Sequence, residues 1–123
     1  MRFFLLLFIA FLPLAHATPA TRASLSLQET TFIVPHNDGE AVEVLKILRA
    51  VGAPDIRVSA QGWGATLEKE PKEVLSNLKK NVVVMEMPSL VVEKKLQTEG
   101  HHLIIIDHHQ YDGLNRIRKE SAI

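Results

Sequence analysis

Four short runs rich in β-branched residues punctuate the chain: Thr31-Phe32-Ile33-Val34, Ile56-Arg57-Val58-Ser59, Val82-Val83-Val84-Met85 and Leu103-Ile104-Ile105-Ile106. Runs of this length and composition predict buried strands. Between them apolar positions recur at helical spacing. Ala41, Val44, Leu45 and Leu48 share one face of a helix expected from Glu40 to Val51, with Gly52 at its C′ position and Pro54 beyond. Pro71 suits the first turn of a second helix, carrying Val74, Leu75 and Leu78 and ending near Asn81. Pro88-Ser89 opens a third helix that holds Leu90, Val91 and Leu96 and closes at Gly100. Strands alternating with helices predict βαβ units with right-handed crossovers. The expected fold is α/β, a three-layer arrangement with a parallel sheet of about four strands.

The chain opens on a pattern of another kind. Arg2 precedes an apolar stretch from Phe3 to Leu14, and Ala15-His16-Ala17 is a small-x-small cleavage site. This is the anatomy of a signal peptide, too short for a membrane span of about 20 residues. The expected organisation is therefore a signal over 1–17, a flexible lead-in over 18–29 and a single domain over 30–123. Cleavage after Ala17 makes the protein secreted or periplasmic and leaves no membrane segment. The chain has no cysteine, so neither a disulfide nor a thiol mechanism is available. Its 14 basic and 14 acidic side chains balance, which argues against a nucleic-acid surface held by charge.

Chemistry-bearing residues gather where the runs end. His36, Asp38 and Glu40 follow the first, Glu86 follows the third, and Asp107, His108 and His109 follow the fourth. In an open parallel sheet the ligand site lies off the carboxyl ends of the strands. Carboxylates and imidazoles converging there suit Mn²⁺, Zn²⁺ or another first-row divalent ion, and a shell without thiolate favours manganese. Two such ions can clamp the attacking and leaving oxygens of a phosphoryl displacement. His101 and His102 precede the last run and belong to the opposite edge, as solvated loop residues or an adventitious zinc site. Trp63, between Gly62 and Gly64, is expected to pack on a core edge, with base stacking as the other reading.

Asp107-His108-His109 after an apolar strand resembles the signature of the DHH phosphoesterase superfamily, and His36-x-Asp38-x-Glu40 resembles that family's first motif. Glu86 stands where its second-motif aspartate ends a central strand. The resemblance runs from about Thr30 to Asp112. It implies that His36 and Asp38 hold one Mn²⁺, that Glu40 and His108 hold the other, and that Glu86 bridges them. It further implies that Asp107 supports the metal shell and that His109 faces the phosphate of a small phosphorylated substrate, a phosphoanhydride or phosphodiester. Glutamate replaces aspartate at 40 and 86, and neither the fourth motif nor the family's C-terminal substrate domain has a counterpart. The alternative is accordingly a catalytically inactive metal- or ligand-binding module. Homo-oligomerisation, with a neighbouring copy over the open site, is another way to cover it.

Overall fold

A computed structural model describes residues 24–108 of the chain. The expected signal peptide, and His109 with the residues after it, lie outside the described residues. Four parallel strands form one sheet: β1 (Thr30–Pro35), β2 (Ile56–Ser59), β3 (Asn81–Met85) and β4 (His102–Ile106), in the order β2-β1-β3-β4. Two helices accompany them, α1 (Gly39–Ala50) between β1 and β2, and α2 (Leu90–Thr98) between β3 and β4. The α/β class and the all-parallel sheet are those the hydrophobic pattern predicts.

Alternation along the strands divides the core in two. Phe32 and Val34 of β1 and Val83 and Met85 of β3 pack against Ala41, Leu45 and Leu48 of α1. Ile33, Val82 and Val84 point the other way, against Leu96 of α2 and against Ala65, Leu67 and Met87. β1 and β3 are buried along their whole length, as central strands buried on both sides must be. β4 is an edge strand, half-buried at best, with Ile106 exposed. Both helices start at side-chain caps. Asp38 accepts a hydrogen bond from the Ala41 amide at 2.8 Å, and Ser89 accepts one from the Val92 amide at 3.2 Å. Such caps satisfy amides that a helix leaves without intrahelical partners.

The helix expected from Pro71 to Asn81 does not form. Val74 and Leu75 donate to Pro71 and Lys72 in successive tight turns, and Asn81 begins β3 instead. A residue from another element braces these turns. Arg57 of β2 donates from its guanidinium to the carbonyls of Val74 at 2.8 Å, Asn77 at 3.0 Å and Ser76. Arg57 holds these carbonyls in a non-helical path, with Asn77 in the left-handed region at φ +49. The apolar positions still serve: Val74, Leu75 and Leu78 pack on the core face that α2 covers. Arg57 is itself fixed by Asp55, which accepts from its Nε at 3.1 Å and from the Thr31 hydroxyl at 2.6 Å.

Three smaller differences separate the fold from its expected form. Leu25 and Leu27, in the expected lead-in, pack against the α1 side of the core. His102 belongs to β4 rather than to a loop, and its Nδ1 lies 3.2 Å from Asn81 Oδ1, at the sheet edge opposite the strand ends of interest. Trp63 covers no core edge, because it is 80% exposed. No helix among the described residues is long and apolar enough to cross a membrane.

Candidate metal centre

The strand order places a specific crevice. From β1 the chain crosses through α1 to β2 on one side, whereas from β3 it crosses through α2 to β4 on the other. The two crossovers diverge between the neighbouring strands β1 and β3. Their carboxyl ends thus frame the topological switch point where open parallel sheets hold ligands. Asp38 and Glu40 follow β1, and Glu86 follows β3.

Glu86 is the structural oddity of this edge. It is non-glycine with φ +51, and its side chain is only 3% exposed. Its backbone amide donates to the Ile106 carbonyl at 2.8 Å, so the ladder to β4 continues one residue past the strand. A left-handed conformation at a residue with a Cβ costs about 1–2 kcal/mol. Such strain, held at a buried acid on a switch point, belongs to sites more than to scaffolds.

Three of the expected ligands converge there. One ligand atom from each of Glu40, Glu86 and His108 lies within 4.8 Å of the other two. His108 Nδ1 is 2.8 Å from Glu86 Oε1 and 3.4 Å from Glu40 Oε2. Two ligands about 2.1 Å from one ion, at roughly right-angled or tetrahedral spacing, stand about 3.0–3.4 Å apart. The 3.4 Å separation falls in that range, and the 2.8 Å one is a hydrogen-bond distance that an ion would widen slightly. Carboxylate oxygens and an imidazole nitrogen this close share either a proton, carried as Nδ1–H, or a cation. One residue before Asp38, the Asn37 Oδ1 is buried with no hydrogen-bond partner among the described residues. The three side chains can therefore hold a metal ion.

The other expected ligands take different positions. Asp38 is occupied as the cap of α1, and its carboxyl is also hydrogen-bonded to Glu86. The Ala41 amide holds its pKa below the ordinary carboxylate value against the opposing effect of burial. The Glu86 bond, the Glu40 amide and the charge of His108 add to the lowering. Asp38 thus supports the group from behind. His36 is exposed and lies outside the group. The pair expected to hold a second ion is not joined to the first among the described residues. Asp107 is half-buried directly after β4, next to His108. Sequence reasoning passed over Asn37, whose Nδ2 donates to the Gly62 carbonyl at 3.2 Å and ties the end of β1 to the loop after β2. No motif announces that bond, since it joins residues from two loops.

The chain matches no family model, no curated protein and no solved structure.

Proposed function

We propose that the chain binds a divalent cation, Mn²⁺ by preference, through Glu40, Glu86 and His108, and that it hydrolyses a small phosphorylated substrate as a DHH-type phosphoesterase. The observation that carries this reading is the convergence of those three ligand atoms at the switch-point crevice. The resemblance adds the order of the motifs, which follow β1, β3 and β4 in turn. A bound cation would supply Lewis-acid stabilisation of charge on a phosphate oxygen and lower the pKa of an attacking water. The chain's own residues do the rest. Glu86 is held rigid by burial and by its backbone bond to Ile106, Glu40 projects from the first turn of α1, and Asp38 fixes that turn while contacting Glu86. On this reading the grouping holds one ion.

A cation-binding module without turnover is the second reading. It is favoured by the placement of Asp38 as a helix cap and of His36 outside the group, which leaves a two-ion clamp without its second pair. Assays of pyrophosphate, a linear dinucleotide and a generic phosphodiester with Mn²⁺ separate the two. Turnover that is lost in His108→Ala supports hydrolysis. Stoichiometric Mn²⁺ without turnover of any of the three supports the binding module, and absence of Mn²⁺ removes both. Export belongs to the same proposal, and N-terminal sequencing of the mature protein should begin at Thr18.

A further inference from the structure

Trp63 is the sole tryptophan of the chain and stands 80% exposed. A large aromatic ring left in water on a floppy loop would need no explanation, but this loop is braced. Gln61 grips Thr66 at both ends of its amide, donating from Nε2 to the Thr66 carbonyl at 2.9 Å and accepting from the Thr66 amide at 3.1 Å. The Gln61 backbone amide donates to Ser59 Oγ at 3.1 Å. Both Ser59 Oγ and Gln61 Nε2 donate to the carboxylate of buried Glu70. Ala65 and Leu67 then anchor the far side of the turn in the core. Residues 62–64 are thus held up from a fixed base, with Gly64 at φ +71 making the bend.

The position of this loop matters as much as its rigidity. It leaves the carboxyl end of β2, where Ser59 is in register with Pro35 of β1. The Asn37 side chain clips Gly62 to the end of β1, and the next residue, Asp38, is bonded to Glu86. Trp63 therefore belongs to the same sheet edge as the candidate metal centre. The ends of β2 and β3 are two strand spacings apart, about 10 Å. A mononucleotide spans a gap of that order between phosphate and base, and the loop that carries Trp63 leaves from the β2 end of it.

We propose that Trp63 is a base-stacking platform for this crevice, and that the phosphorylated substrate is a nucleotide with its phosphate toward Glu40, Glu86 and His108 and its base against the indole. The inference rests on the functional reading above for the phosphate end alone. Stacking is tolerant of base identity, because every base offers a π face. It predicts a preference for nucleotides over sugar phosphates rather than for one base over another.

The single tryptophan makes the test direct. Its fluorescence is followed while adenosine 5′-monophosphate or ribose 5-phosphate is titrated into the whole chain, with and without Mn²⁺, and Mn²⁺ binding is measured separately by calorimetry. The expected result is saturable quenching by the nucleotide and none by ribose 5-phosphate. By calorimetry, Trp63→Ala should weaken adenosine 5′-monophosphate about 5- to 150-fold while ribose 5-phosphate affinity stays unmoved. Trp63→Phe should recover part of the loss. Equal affinity for the two ligands, no nucleotide binding, or a Trp63→Ala variant that binds the nucleotide as well as the parent would overturn the platform. Quenching that persists in a protein shown not to bind Mn²⁺ would sink the metal reading and leave the platform standing. Mn²⁺ binding without discrimination between the ligands would do the reverse.

Discussion

His108 Nδ1 lies 2.8 Å from Glu86 Oε1, joining the end of β4 to a buried acid at the end of β3. The strands are neighbours in parallel register, with Met85 opposite Ile106, so residues just beyond each strand meet without any bend of the sheet. Glu40 reaches the same point from a different direction, because Asp38 starts α1 at the end of β1 and Glu40 falls in its first turn.

Asp38 has two duties that substitutions can separate. Asp38→Ala removes the cap and should cost about 1 kcal/mol of stability, whereas Asp38→Asn keeps an accepting oxygen and should cost only a few tenths. Both lose the carboxyl bonded to Glu86, and both should weaken Mn²⁺ by about 10- to 100-fold, as expected of a group supporting a ligand. Chemical denaturation and metal titration of the two variants check this. An Asp38→Asn protein with parental Mn²⁺ affinity would reduce Asp38 to a cap alone.

Glu86 should trade stability for function. Glycine adopts positive φ without steric cost, so Glu86→Gly should stabilise the metal-free protein by about 1 kcal/mol, the relieved strain being partly offset by unfolded-chain entropy. The same variant should lose Mn²⁺ binding. A urea midpoint below the parental one would mean that the carboxylate holds the fold together rather than straining it.

Acid should weaken the fold through Asp55. Burial raises its pKa, but the bonds from Arg57 and Thr31 and the charges of Arg57 and Lys79 outweigh that and hold it below 3.8. A depressed folded-state pKa contributes stability that is present above the unfolded value and lost as pH falls through the folded one. Denaturation midpoints should therefore drop as pH falls below about 4, the ordinary range of an aspartate. Asp55→Asn should cost about 2 kcal/mol at pH 7 and flatten that part of the pH dependence. An unchanged acid profile would show that the clasp between Asp55 and Arg57 adds nothing to stability.

Much of this architecture is legible in the residues alone. The strands declare themselves because each is a short apolar or alternating run bounded by polar residues, and α1 and α2 because caps, apolar spacing and a closing glycine agree. The stretch over 71–81 is not legible in the same way. Its apolar spacing is helical, but the residue that overrides it, Arg57, lies on β2, and nothing local marks the carbonyls it takes. The ligand-bearing strand ends can likewise be read from the sequence, whereas the order β2-β1-β3-β4 cannot, and that order brings Glu86 beside Asp38 and His108. Asp38 carries a signal for its actual place, an aspartate directly ahead of a helical pattern. Trp63 carries none, since an aromatic between two glycines reads equally as packing or display.

Calorimetric titration of Mn²⁺ into the parent protein and Glu86→Gln bears most directly on the metal centre. The parent should bind one ion per chain, and the glutamine variant, having lost an anionic ligand from the buried corner, should bind more than about 100-fold weaker, beyond what loss of a merely supporting group costs. A parent that takes up no ion, or a variant that binds like the parent, would contradict a cation site built on Glu40, Glu86 and His108.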